Sequence, residues 1–124
     1  MQQVIDAALA DDPPVALAAL EALCEVGGIT AERAVEILER PESELVRAAI
    51  RCIGLHSDLD GMEVLFPLIG HSDWSVRAEA IQTVADRRLT RGLPVILRAL
   101  DSEQDEFVRD VTLSALKRLE GEVG

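Results

Sequence analysis

Aromatic residues are scarce in this chain: they make up 2% of 124 residues, as one Trp, two Phe and no Tyr. A core must then be assembled from Leu, Ala, Val and Ile. That palette suits close helix packing better than a β-sandwich, which would want Tyr, Phe and Thr. Without Tyr the chain also lacks one common catalytic acid and stacking group. Cysteine is limited to Cys24 and Cys52, too few for a disulfide framework; reduced thiols in the cytoplasm are the expectation. The two histidines, His56 and His71, both fall in expected turns. Cys52 and His56 are four apart near a helix end and would share a face, but two ligands do not make a structural zinc site. Neither a CxxC nor an HExxH motif supplies more. Gly27-Gly28 reads as a helix stop and not as part of a phosphate loop, and no Gly-x-Ser-x-Gly elbow occurs. No catalytic, cofactor-binding or metal-binding residue is therefore expected. The chain does not open with a basic region followed by an apolar run, so no signal peptide is expected. It has no apolar stretch long enough to span a bilayer.

Positive charge is also in short supply: 12 basic residues against 23 acidic ones, a net charge of −11. Such a balance repels nucleic-acid phosphates and anionic membranes and favours a partner with a basic surface. The charge is uneven. Residues 1–62 hold 12 acids and 4 bases, while residues 63–124 hold 11 and 8. The basic cluster is Arg87, Arg88, Arg91 and Arg98. It reads first as solvated surface. Head-to-tail association of acidic and arginine-rich ends is the functional alternative.

What the chain does have is a repeat. Four segments share a helix-starting polar residue, two spacers, Val and usually Arg. They begin Asp12-Pro-Pro-Val15-Ala16, Ser43-Glu-Leu-Val46-Arg47, Asp73-Trp-Ser-Val76-Arg77 and Asp105-Glu-Phe-Val108-Arg109. The valines lie 31, 30 and 32 positions apart. Asp or Ser three residues before each Val can accept an orphan backbone N–H as an N-cap. Before each Val, at spacings of a first helix, come Val4 and Ala7, Val35 and Leu38, Leu65 and Leu68, Leu97 and Leu100. After each Val, apolar or small residues continue a second-helix stripe at i, i+4, i+7 and i+8. Eight helices are expected near 2–10, 13–26, 31–39, 43–55, 60–69, 73–86, 91–100 and 105–119, grouped into repeats at about 2–28, 29–57, 58–87 and 88–121. Pro94 suits a helix start, whereas Pro67 should kink or interrupt its helix. A helix pair cannot bury its apolar face alone, so the expected fold is an all-α solenoid of about four helix-pair repeats in a single domain, 1–124.

The cap-x-x-Val-Arg-x-x-apolar run resembles HEAT repeats, in particular the short HEAT-like repeats first named in phycobilisome lyases. The resemblance covers nearly the whole chain. It implies that the second helices line a concave face. It also implies that the Arg after Val pairs with an acid near the inter-helix turn, so that Arg47, Arg77 and Arg109 form a structural ladder. Ala16 departs from the pattern, which makes the first repeat degenerate, and Pro41 and His71 stand where the family has its turn Asp. The function implied is a non-catalytic interaction module: an adaptor, regulatory subunit or assembly factor. An accessory to chromophore attachment and a piece of a longer HEAT solenoid are the alternatives. A DNA-lesion enzyme on such repeats would need a basic face and stacking aromatics, which the composition opposes.

Three features of the sequence bear on where a partner would bind. Opposite the core stripe of the second helices lie Ala48, Cys52 and Leu55 in repeat two, and Ala78, Gln82 and Ala85 in repeat three. A merely solvated face would be charged, and this one is small and nearly neutral. It is expected to be open to a partner, unless it only reflects tight curvature. Trp74 and Phe107 sit at starts of second helices, where a large apolar group either staples the turn or anchors an interface. Leu17 and Leu20 lie at the edge of the repeat-one stripe, so a homodimer through the apolar first repeat is a further expectation, set against ordinary packing.

Overall fold

The computed structural model describes residues 12–26, 31–56 and 61–123, and every regular element among them is helical. The helix expected near 2–10, with Val4 and Ala7, and the Gly27-Gly28 stop lie outside the described residues. The chain forms two compact units, Met1–Val64 and Leu65–Gly124, and the boundary falls inside the expected third repeat.

In the first unit, α1 runs Pro13–Val26, α2 Ala31–Leu38 and α3 Ser43–His56. Asp12 takes the place before α1, and its carbonyl accepts from the Ala16 amide at 2.9 Å. Pro13 then occupies the first helical position, where its missing N–H costs nothing. Ala16, Leu20 and Leu23 turn inward from α1 at helical spacing, and Leu17 is half-buried. At α3 the Glu42 carbonyl accepts from Leu45 and Val46 at 3.1 and 3.2 Å. Glu42 therefore holds the cap position expected of Ser43, which is itself the first helical residue. The Arg40 guanidinium clasps the Glu42 carboxylate (Nε–Oε1 3.0 Å, Nη2–Oε2 3.2 Å) and holds its pKa below the usual carboxylate range. α3 packs against both α1 and α2, burying Leu45, Val46, Ala49, Ile50 and Ile53.

A long 3-10 helix, Gly61–Gly70, contains Pro67 and crosses the boundary. Pro67 has no N–H for the i→i−4 bond and its ring collides with the carbonyl four residues back, so an α-helix is excluded here. The expected interruption takes the form of a tighter winding throughout the segment. The second unit continues with α4 (Trp74–Asp86), a 3-10 turn (Thr90–Gly92), α5 (Leu93–Ser102) and α6 (Glu106–Val123). α6 packs against both α4 and α5. Asp73 caps α4, its Oδ1 accepting from the Ser75 amide at 2.8 Å. Asp105 caps α6 in the same way, accepting from the Val108 amide at 3.0 Å. Pro94 lies in the first turn of α5, as its chemistry requires.

The end of α4 is a Schellman turn. Arg88 adopts φ 56°, its amide donates to Ala85, and the Leu89 amide donates back to Val84 at 3.0 Å. Leu89 is buried, closing the turn with an apolar contact. Just beyond, Gly92 sits so close to its neighbours that a Cβ would lie 2.8 Å from Val84 Cγ1 and 3.1 Å from Phe66 Cε1.

Candidate protein-binding surface

In each unit the two second helices lie side by side, α1 against α3 and α4 against α6. This arrangement corrects the expectation of an open small-residue face. Ala48, Cys52, Ala78 and Ala85 are all buried. α3 and α6 each have neighbours on two sides, a first helix and the adjacent second helix. The strip opposite the first stripe is therefore interior, and its residues are small because a neighbouring backbone comes close. Of that set only Leu55 and Gln82 are exposed, Leu55 at 70%. Gln82 borders a notch of about 210 Å³ with Asp110, Val111, Ser114, Ala115 and Arg118.

Cys24 on α1 and Cys52 on α3 are neighbours across the contact between these helices. Burial pushes the Cys52 thiol up to about 12, and the neighbouring Cys24 adds to the shift. Both are free thiols; Cys24 is half-buried and Cys52 fully buried. Spacing within one helix had suggested His56 as the neighbour of Cys52, but the His56 side chain lies outside the described residues. No cluster of three or more His, Cys, Asp or Glu placed to hold a metal occurs among the described residues.

The arginines after the repeat valines behave in three ways. Arg77 makes a bidentate pair with Glu103 (Nε–Oε1 2.8 Å, Nη2–Oε2 2.9 Å) and donates through Nη1 to the carbonyls of His71 and Ser72 at 3.0 and 3.1 Å. The acid thus comes from the turn after α5, one turn later than the family pattern would place it. Glu103 also accepts from the Asp105 amide at 3.0 Å. Its side chain is 5% exposed, and the Arg77 guanidinium holds its carboxyl below the usual range. Among the described residues Arg109 reaches backbone alone, donating to the carbonyls of Leu100 and Glu103 at 3.2 and 3.1 Å. For Arg47, Nε is buried with no hydrogen-bond partner among the described residues. Arg77 and Arg109 hold turns in place. Around Arg77 and Glu103 a polar recess of about 330 Å³ is also bordered by Ile69, His71, Ser102 and Gln104. His71 is engaged through its ring, Nδ1 accepting from the Asp73 amide at 2.9 Å.

Trp74 and Phe107 come together. Their ring centroids are 5.7 Å apart at an interplanar angle of 85°, an edge-to-face pair. Trp74 is the first residue of α4 and Phe107 the second of α6, so the contact between these helices sets the rings edge to face at their N-terminal ends. Each ring remains about half exposed, 50% for Trp74 and 53% for Phe107. Acidic side chains flank both in sequence: Asp73 before Trp74, and Asp105 and Glu106 before Phe107. The sequence located each aromatic at a helix start; their pairing depends on the stacking of the two helices and carries no local signal.

A second surface feature was not legible in the sequence. In the first unit a cleft of about 450 Å³ runs along α1 and α3, lined by Leu20, Glu21, Cys24, Glu25, Ala48, Arg51 and Leu55. Among the described residues no helix is long and apolar enough to cross a membrane. No curated protein matches the chain. The sequence profile of HEAT repeats matches residues 31–117.

Proposed function

The chain belongs to the HEAT-repeat family, whose repeats generally serve as non-catalytic scaffolds for protein–protein interaction, and from this premise we propose that it is an adaptor, regulatory subunit or assembly factor that binds a protein through the aromatic pair at the starts of α4 and α6. The observation that carries the reading is the half-exposed Trp74–Phe107 contact. A turn staple alone would bury its rings. Two large rings set against each other and left half in water are the kind of residue that concentrates binding energy at an interface. The flanking carboxylates and the net charge of −11 favour a partner with a basic surface. Two free thiols, with Cys52 held protonated, fit a reducing compartment such as the cytoplasm.

The test is affinity capture from the cell that makes the protein, comparing wild type with a Trp74→Ala/Phe107→Ala double variant and with Gln82→Ala. A partner retained by Gln82→Ala but lost, by tenfold or more (about 1.4 kcal/mol), from the double variant supports the reading. Equal retention by all three proteins would move binding away from the aromatic pair.

A further inference from the structure

The α1–α3 cleft has an apolar floor, with two carboxylates, Glu21 and Glu25, on its α1 side and one arginine, Arg51, on its α3 side. Leu20, Cys24, Ala48 and Leu55 supply its apolar lining. On α1, Leu20 and Cys24 are one helical turn apart, and on α3, Ala48 and Leu55 are two turns apart, so the cleft follows the helix axes. Leu20 and Ala48 are buried in the floor, so the half-buried Cys24 and the exposed Leu55 are the apolar groups open at its surface. Its volume falls within the range of about 300–1,000 Å³ in which ligand-accepting clefts lie. Leu55 stands 70% exposed at one end.

Glu21 and Glu25 form the α1 rim. Both are exposed, and neither has an ion-pair partner among the described residues. They are four residues apart on one helix face, an arrangement of like charges that costs an isolated helix a few tenths of a kcal/mol. A cation from outside would reverse that cost. Residues 1–64 carry 13 acids against 4 bases, so the long-range field points the same way.

We propose that this cleft docks an amphipathic helix of a partner protein, with aliphatic side chains seated on Cys24 and Leu55 above the buried Leu20 and Ala48, and lysine or arginine side chains on the flank that faces α1 set against Glu21 and Glu25. The apolar row of such a helix, at i, i+3 or i+4, and i+7, matches a groove about two turns long. The proposal rests on the protein-binding reading but not on the aromatic pair, which lies in the other unit.

Cys24 is the probe, because it lines the cleft and is half-buried while Cys52 is fully buried. The purified full chain is titrated with a fluorescent model helix of Leu and Lys, about 18 residues long so that it can be helical, and with a Leu–Glu counterpart of the same length. Iodoacetamide modification of Cys24 is followed by mass spectrometry with and without each peptide. Binding of the Leu–Lys helix is expected, weakened by salt, with Cys24 modification slowed severalfold and no binding of the Leu–Glu helix. Glu21→Lys/Glu25→Lys and Leu55→Ser each change exposed residues and should leave circular dichroism unchanged. Each should weaken binding by about tenfold, whereas Trp74→Ala/Phe107→Ala should bind as wild type. Equal binding of the two helices, unprotected Cys24, or full affinity in both cleft variants would overturn the proposal. Loss of affinity in the aromatic variant alone would overturn it too, while leaving the aromatic pair as the binding site.

Discussion

Two glycine questions with opposite answers arise within five residues of each other. Arg88 carries a side chain in the left-handed region, where an L-residue is disfavoured by about 1 kcal/mol or more. Arg88→Gly should therefore stabilise the protein by about 1 kcal/mol. Gly92 has an ordinary negative φ of −78°, so its freedom is not conformational. It is a glycine because Val84 and Phe66 occupy the space a methyl group would take. Gly92→Ala should cost about 1–3 kcal/mol through overpacking. Urea denaturation of the two variants reads both, and shifts of the same sign would show that the reasons assigned to these positions are wrong. The sequence marked Arg87-Arg88-Leu89 as a turn. It did not mark Gly92, since nothing local shows that residues 66 and 84 converge there.

The elements themselves were largely legible, because periodicity and caps are local chemistry. The repeat valines, the Asp73 and Asp105 caps and the Pro13 and Pro94 starts all mark helices where they occur. What the helical period could not show was which faces would be covered. A stripe of Ala and Cys on a second helix reads the same whether solvent or a neighbouring helix lies beyond it. Ala48, Cys52, Ala78 and Ala85 turned out to be interior for that reason. The ladder acid was missed for a related reason: Glu103 is 26 residues from Arg77, in a turn longer than the others. That pair gives the turn before α4 and the turn after α5 a common anchor, and it carries a pH dependence. Hydrogen bonding to Arg77 lowers the Glu103 pKa in the folded protein relative to the unfolded chain. The contribution is thus fully present above the ordinary glutamate value of about 4.3 and is lost as pH falls through the lower, folded value. Glu103→Gln should cost about 1.5–3 kcal/mol at pH 7. It should also flatten the acid limb of a stability-versus-pH curve, and an acid limb of unchanged slope would remove Glu103 from the account.

For the molecule as a whole, charge governs behaviour between pH 7 and pH 4. The net charge of −11 at pH 7 and the sequence pI of about 4.5 mean that acidification removes the self-repulsion keeping molecules apart. Hydrogen bonding to Arg77 lowers the Glu103 pKa, which favours the ionised pair as pH falls. Light scattering should therefore rise as pH approaches 4.5 while circular dichroism holds its pH 7 value, and 0.5 M salt at pH 7, which shortens the Debye length to about 4 Å, should reproduce part of the rise because it screens the same repulsion. Loss of circular dichroism before any rise in scattering would instead make unfolding the first event on acidification.

The pairing of Arg77 with Glu103 also bears on how such a chain could be lengthened or recombined. A helix pair cut at its outer turns would carry the arginine in one copy and leave its carboxylate in the next. The heritable module is therefore staggered with respect to the visible one: it runs from the arginine to the glutamate, residues 77–103, and spans most of one second helix, the following first helix and the turn after it. Duplication or grafting in that frame keeps both halves of the bond together, whereas a graft in the frame of the helix pairs transfers a buried charge without its counterpart.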